Sequence, residues 1–318
     1  MTPLYHLYIA CCVPQGGVAH ALLFDDGHLE LRETVSAPSP LYLRLSGQTL
    51  HTLLTDPFGS GESGYTTLTL AADGTAVARG AVVSTGGAEA CHLSLWNGEV
   101  FVANYQSGDV ARLTPDGRLL VRPISAGTSP SHPHFVAPAP DGTVLLCTDL
   151  GRDVVSVCDR DLNPLSFAET PRGSGVRHLA FSQNGRIVYG VGELGNTVTT
   201  FSYDAGRLTP LETEDALPFD HPESYAAALR LYDGRLYVSH RGDNSVTVLR
   251  AEGERLAFEE RISCGGKWPR DFDLFGDFLV CTNEKSDSVT VLQRCGNAWE
   301  LCSSLALPRP LCVVGTAL

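Results

Sequence analysis

Five segments of this chain repeat one pattern, and the repeat constrains the fold more than any other feature. The segments begin at His92, His134, His178, Ala228 and Phe272. Each alternates polar and apolar residues, turns at a pair such as Asn-Gly or Asp-Gly, runs an apolar strand and opens a further strand at a valine. The valines are 44, 44, 48 and 43 residues apart, counted through Val110, Val154, Val198, Val246 and Val289. Because each unit holds several strands and no helix, this period predicts a β-propeller.

The two ends of the chain predict how the ring closes. The C-terminal PLCVVGTAL has the pattern of a lone first strand, whereas the N-terminal LYHLYIACC and HALLFDD have the pattern of second and third strands. Together they form one composite blade, so no open sheet edge remains at the chain ends. A more divergent unit covers residues 41 to about 72. We therefore predict an all-β, seven-bladed propeller in which residues 1–318 form a single domain.

Composition and charge argue against several classes of function. The formal net charge is -13, and no run of Lys or Arg is present that could neutralise the phosphates of a nucleic acid. No window approaches the roughly 18 apolar residues of a membrane span, and the N-terminus lacks a signal peptide, which predicts a cytoplasmic protein without a membrane segment. The 10 cysteines form no CxxC pair, and several lie in strand patterns, so we expect buried, reduced thiols.

The repeat also predicts where a site lies. The start of a first strand and the end of the second meet at one sheet edge, and in a propeller this edge borders the central channel. The residues that open the first strands are Cys91, His134, Arg177, Ala227 and Arg270. Those that close the second strands are Tyr105, Asp149, Glu193, Arg241 and Glu284, next to Asn104, Thr148, Gly192, His240 and Asn283. Charged residues that differ between equivalent positions indicate a site, although structural ion pairs between blades are the alternative.

Other catalytic and binding motifs are weak in this sequence. His132 and His134 offer two metal ligands, but Pro133 separates them and no matching Cys/His pair follows, so we expect no metal. No GxSxG elbow, P-loop or dinucleotide fingerprint is present, so we expect no cofactor.

Four stretches carry a resemblance to a known family. They are SHPHFVAPAPDGTVLLCTDLGRD, RHLAFSQNGRIVYGVGELGNTVTTF, DGRLYVSHRGDNSVTVL and GGKWPRDF. They resemble the seven-bladed propeller lactonases, whose named activity is 6-phosphogluconolactonase and whose superfamily includes fungal carboxymuconate lactonizing enzymes. The resemblance covers the whole chain, is weakest before Gly86, and implies a hydrolase of carbohydrate metabolism in the pentose phosphate pathway.

The resemblance also implies roles for particular residues. The implied catalytic residues are His134, Arg177, Glu193 and Arg241, four positions that the repeat alone also selects. The predicted substrate-binding residues are His132, Asn104, Asp149, His240, Lys267, Arg270 and Asn283. The chain departs from the family pattern at Ala90, Ala228 and His240, which leaves the substrate open.

Hydrolysis of a lactone requires an activated water, stabilisation of the tetrahedral oxyanion and a proton for the leaving ring oxygen. Either Glu193 or His134 fits the general base. We assign activation of the water to Glu193 and protonation of the leaving oxygen to His134. A carboxylate beside arginines stays ionised, whereas histidine titrates near neutrality. The predicted partner is a small anionic lactone, bound by a monomer or weak homodimer. The alternatives are a cycloisomerase, a lactonase for another anionic lactone, and a non-catalytic propeller that binds a ligand or protein.

Overall fold

Seven sheets surround a central channel in the computed structural model, which describes residues 1–220, 223–252 and 254–318. In chain order the strands are β1 Pro3–Cys11, β2 Gly17–Phe24, β3 Leu29–Ser36, β4 Pro40–Ser46, β5 Thr49–Leu54, β6 Gly64–Leu70, β7 Ala76–Arg79, β8 Val83–Ser84, β9 Ala90–Trp96, β10 Glu99–Asn104, β11 Asp109–Leu113, β12 Leu119–Arg122, β13 Pro133–Pro138, β14 Leu145–Asp149, β15 Val154–Cys158, β16 Pro164–Glu169, β17 Val176–Phe181, β18 Ile187–Gly192, β19 Thr197–Asp204, β20 Arg207–Asp215, β21 Tyr225–Tyr232, β22 Arg235–Arg241, β23 Ser245–Glu252, β24 Arg255–Ser263, β25 Pro269–Phe275, β26 Phe278–Asn283, β27 Ser288–Cys295, β28 Ala298–Ala306 and β29 Pro310–Ala317. Leu150–Arg152 and Glu284–Ser286 form single 3₁₀ turns.

Each sheet is one blade, and the predicted seven-bladed, all-β architecture is confirmed. Blade 1 contains β4–β8, blades 2 to 6 contain four consecutive strands each, and blade 7 has the order β29-β1-β2-β3. The first strands of neighbouring blades contact one another all the way round the ring, so they are innermost. Blade 1, the divergent unit, extends beyond the predicted boundary because β8 adds a short fifth strand that pairs with β6.

Pairing of β29 with β1 closes the ring, as the chain ends predict. The antiparallel register runs from Tyr5 opposite Ala317 to Cys11 opposite Pro310. The buried apolar side chains form seven clusters in the described part of the chain, one at each boundary between neighbouring blades. The core is therefore distributed around the ring, and each blade is stabilised by burial against two neighbours.

Short turns between strands follow from Asn-Gly and Asp-Gly pairs. Asn97 and Gly98 have φ of 50° and 78°, and Asp233 and Gly234 have φ of 48° and 72°. Two successive left-handed residues form the type I′ turn that matches the twist of a hairpin, and Gly in the second position carries no steric penalty. Within the described ranges, no helix has the length and apolar character needed to cross a membrane.

The sequence alignment of the units is wrong by one residue in blade 3. Val110 pairs with Ala103 and Val198 with Val191, but the equivalent pair in blade 3 is Val155 with Thr148. Val154 and Val155 are adjacent valines, so the sequence pattern alone gives no reason to prefer the second. This shift changes which blade 3 residue reaches the channel.

Candidate active site

An irregular strand pairing that recurs in all seven blades shapes one end of the channel. This end, where the innermost strands begin, is called the upper mouth. In each blade a β-bulge interrupts the pairing between the first and second strands. The residues left unpaired in the first strands are Leu41, Cys91, His134, Arg177, Ala227 with Ala228, Arg270 and Leu311. Bulges redirect side chains. One bulged position from every blade therefore lies at the upper mouth.

The second strands supply another ring of residues just beyond the bulges. Its members are Cys12, Thr55, Tyr105, Leu150, Glu193, Arg241 and Glu284. In six blades the backbone amide of the ring residue donates to the carbonyl of the residue two positions before the bulged one, over 2.8 to 3.1 Å. Glu193, for example, donates to Gly175. Five of those preceding residues have left-handed φ between 43° and 67°; they are Ser39, Glu89, Gly175, Trp268 and Arg309.

These two rings enclose a cavity of about 370 Å³ at the upper mouth. Every residue that lines it belongs to one of the rings, except Glu89 and Arg309. His134, Glu193 and Arg241, three of the four predicted catalytic residues, share this cavity. The fourth, Arg177, is almost fully buried and lies behind Glu193.

Glu193 is held as an ionised carboxylate between two arginines. Its Oε2 accepts Nε of Arg177 at 2.9 Å and lies 2.8 Å from Nη2 of Arg241, while no described residue donates to Oε1. Burial opposes ionisation, but the charges of Arg241 and Arg177 outweigh it and lower the pKa of Glu193. Burial and the charge of Arg241 lower the pKa of Arg177 to about 9, so it is a cation at neutral pH.

A second carboxylate fixes two further cations at the same mouth. Glu284 Oε1 lies 3.1 Å from Nη2 of Arg309, and Oε2 lies 3.7 Å from Nη1 of Arg270. Both arginines line the cavity, whereas Glu284 does not. The arrangement leaves positive charge directed at any guest in the cavity, although the protein as a whole is acidic.

His134 differs from the role that the sequence suggests for it. Its side chain is buried, and Nδ1 has no hydrogen-bond partner in the described structure. Burial, reinforced by the charge of Arg177, lowers the pKa of His134 well below its ordinary value. The imidazole is therefore neutral at neutral pH, which corrects the expectation that it titrates there as a proton donor.

The seven predicted substrate-binding residues separate into three groups. Arg270 lines the cavity. His132 stacks on Tyr105 with ring centroids 4.5 Å apart, and Lys267 is exposed outside the lining. The fully buried ones bond to protein groups, as Asn104 does to Asp109 and His240 to Thr247; they are Asn104, Asp149, His240 and Asn283.

The one-residue shift in blade 3 explains the position of Asp149. By register it corresponds to Asn104, Gly192 and Asn283, which pair with the residue before the bulge. Its carboxylate accepts the hydroxyl of Ser131 at 2.6 Å and the amide of His132 at 2.8 Å. Asp149 therefore organises the loop before His134 and does not reach the cavity.

Sequence reasoning missed part of the lining. The missed residues are Cys12, Leu41, Thr55, Glu89, Arg309 and Leu311, whereas the repeat placed Cys91 and Tyr105 at this edge without a role. A signal for the bulges exists, because proline immediately precedes the bulged residue in four blades, at Pro40, Pro133, Pro269 and Pro310. Among the described residues, no group of three or more His, Cys, Asp or Glu side chains is placed to hold a metal ion.

Comparisons with known proteins agree with the fold. The sequence profile of the family described as lactonase, 7-bladed beta-propeller, matches residues 6–315. A protein of Lactococcus lactis subsp. cremoris is 31% identical over 311 residues, which cover 89% of each chain. The structure of the periplasmic gluconolactonase of Pseudomonas aeruginosa is similar with a TM-score of 0.87 and 28% identity, covering 99% of both chains. A Lactobacillus plantarum protein has a TM-score of 0.86 and 26% identity over 99% of this chain and 100% of its own.

Proposed function

Because this chain belongs to the seven-bladed β-propeller lactonase family, we propose that it hydrolyses the lactone of an anionic sugar acid at the upper mouth. The first substrate to test is 6-phosphogluconolactone, which would give 6-phosphogluconate. The observation that carries the proposal is the ionised Glu193 carboxylate, held by Arg177 and Arg241 in a cavity that also contains Arg270 and Arg309. A base and several cations then face one small guest, as the reaction requires.

Each step of the proposed reaction uses groups of this cavity. Oε1 of Glu193 takes a proton from water as the water oxygen attacks the lactone carbonyl, and Arg241 stabilises the resulting oxyanion. The bond from the carbonyl carbon to the ring oxygen then breaks, and the proton on Glu193 passes to that oxygen. The product carboxylic acid loses its own proton to water. His134, neutral, offers a hydrogen bond to the substrate and is the alternative base.

Replacing Glu193 with Gln is expected to lower kcat/KM by about 10²-fold or more, because the amide keeps the shape but cannot accept the proton. Steady-state hydrolysis by purified protein measures this directly. Glu89→Gln is the matched control, since Glu89 lines the same cavity without an ion pair in the described structure. Its loss should stay below about 10-fold. Full activity in E193Q would show that Glu193 is not the general base and would make His134 the candidate.

Replacing Arg309 with Ala is expected to raise KM for 6-phosphogluconolactone by about 10-fold, because one charge-assisted hydrogen bond to the phosphate is lost. KM for gluconolactone, which lacks the phosphate, should change little. The control is Arg294→Ala, which removes an arginine paired with Glu260 at 2.9 Å in outer strands. An equal rise for both lactones would show that Arg309 does not bind the phosphate.

The rival functions make different predictions for the same purified protein. A cycloisomerase would close or open carboxymuconolactone but leave gluconolactone and its 6-phosphate unchanged. A non-catalytic propeller would convert none of the three. Activity on either sugar lactone that is lost in E193Q would support the proposed hydrolase over both rivals.

A further inference from the structure

A second cavity, of about 650 Å³, occupies the opposite end of the channel, called the lower mouth here. It is lined by later residues of the innermost strands of all seven blades, whereas the upper cavity meets the first residues of the same strands. Three imidazoles lie between the two cavities. The ring of His178 is 5.2 Å from that of His134, which lines the upper cavity, and 5.6 Å from that of His92, which lines the lower one.

The third residue after each bulge forms a ring at the lower mouth. Its polar members, Arg44, Ser94, Arg230 and Asp273, all line the lower cavity. Small residues occupy the ring in blades 3 and 4, where Ala137 and Ala180 leave room, and Val314 occupies it in blade 7. The wall around the ring is apolar and includes leucines, Pro138 and Phe181. A compact hydrocarbon group fits this wall, and polar groups of a guest would meet the ring.

Arg230 already forms hydrogen bonds and ion pairs with other residues of the protein. Its Nη2 donates to Asp271 at 2.8 Å and its Nη1 to the carbonyl of Leu229 at 3.1 Å. Its Nε is 3.6 Å from Oδ1 of Asp273, too long for a hydrogen bond. Arg230 therefore pairs closely with Asp271 and forms only a longer ion pair, without a hydrogen bond, with Asp273.

Two charges of opposite sign remain incompletely paired on this ring. Asp273 accepts the amide of Leu274 at Oδ1, over 2.9 Å, and no described residue donates to Oδ2. Arg44 forms no ion pair or hydrogen bond with any described residue. The two lie in blades 6 and 1, on either side of Val314 in blade 7, and do not pair with each other.

Ser94 gives an independent indication that a ligand completes the ring. Its side chain is 1% exposed and lines the lower cavity, yet its hydroxyl has no hydrogen-bond partner among the described residues. A buried hydroxyl without a partner costs free energy that a bound polar group would recover.

We propose that the lower mouth binds a small zwitterion with an apolar body, of the chemical class of an aliphatic α-amino acid. Its ammonium group lies on Asp273, its carboxylate on Arg44, and its hydrocarbon side chain against the apolar wall. Ser94 donates or accepts one further hydrogen bond. This site is separate from the upper mouth and does not depend on the reaction proposed there.

Titration calorimetry with three matched probes tests the proposal. The probes are L-leucine, 4-methylpentanoate, which lacks the ammonium group, and 3-methylbutylamine, which lacks the carboxylate. L-leucine is expected to bind at least about 10-fold more tightly than either single-charge analogue, because each charged contact contributes separately. Equal affinity for the three probes, or no binding of L-leucine, would overturn the proposal.

Variants then assign each charge. Arg44→Gln should remove the preference for L-leucine over the amine, and Asp273→Asn should remove its preference over the carboxylate. Ser94→Ala, which removes only a hydroxyl, gives a second measurement if Asp273→Asn fails to fold, and should weaken binding of L-leucine. Glu193→Gln, at the upper mouth, should leave binding unchanged. Binding that survives all three lower-mouth substitutions, or that disappears in Glu193→Gln, would place the zwitterion elsewhere.

Discussion

A chain that lacks residues 311–318 is expected to lose the cooperative unfolding transition of the intact propeller. These residues are most of β29, the innermost strand of blade 7, which pairs with β1 and contacts the first strands of blades 6 and 1. Leu311, Cys312 and Val313 are at most 3% exposed. Burial of side chains of this size contributes about 1.5–3 kcal/mol each for the larger two, and the pairing edge of β1 is left open as well. The loss approaches the whole stability of a typical domain, about 5–15 kcal/mol.

Thermal unfolding followed by circular dichroism measures this effect. A chain that lacks only Leu318, which is 60% exposed, is the control and should unfold like the parent. A circular permutant that begins at blade 1 and joins β29 to β1 through a short linker should also fold, since it keeps every strand pair. A truncated chain with the parental transition would show that β29 does not close the ring.

The closure of the ring is predictable from sequence because each chain end lacks the strands that the other end supplies. The register is less predictable. Val154 and Val155 satisfy the same apolar pattern, so only the strand pairing shows that Val155 is equivalent to Val110 and that Asp149 does not face the cavity. A one-residue slip redirects a side chain to the other face of its strand.

The site is predictable where chemistry and position coincide, and not where packing decides. Glu193, Arg241 and Arg270 stand out because charged residues replace apolar ones at equivalent positions. Leu41 and Leu311 line the same cavity, but apolar residues are expected in an inner strand, so the sequence does not distinguish them from core residues. The protonation state of His134 depends on its burial at the centre of the ring, where side chains from several blades meet. The local sequence around His134 does not predict this burial.

Acid is expected to destabilise this fold through the three imidazoles at the centre of the channel. His92, His134 and His178 are each less than 10% exposed and in ring contact through His178. Burial, followed by nearby arginines, lowers the pKa of all three well below the ordinary value of 6.5. In the unfolded chain they bind protons below about pH 6.5, whereas the folded chain keeps them neutral. The unfolded state therefore takes up more protons as the pH falls, and the free energy of unfolding decreases.

The size of this effect follows from proton linkage. Each imidazole that stays neutral in the folded state lowers the free energy of unfolding by about 1.4 kcal/mol at one pH unit below its unfolded pKa. Three imidazoles together lower it by about 4 kcal/mol at about pH 5.5. Burial also lowers the pKa of His6 and His20, which adds to the loss. The raised pKa of Asp273, caused by burial, has the opposite sign, because its folded state takes up the proton first. Urea unfolding at a series of pH values measures the slope.

Replacing His178 with Asn separates this linkage from a general effect of acid. The amide cannot take up a proton, so the slope of unfolding free energy against pH should fall by about 1 kcal/mol per pH unit between about pH 6.5 and 5.5. Asn also loses the ring contacts of His178, but that loss is independent of pH and shifts the curve without changing its slope. His28→Asn is the matched control, because His28 is exposed and lies outside the channel. Equal slopes in the parent and in His178→Asn would mean that His178 already carries its proton in the folded channel. In that case the charge between the two mouths, and with it the environment of His134 and Glu193, would have to be assigned again.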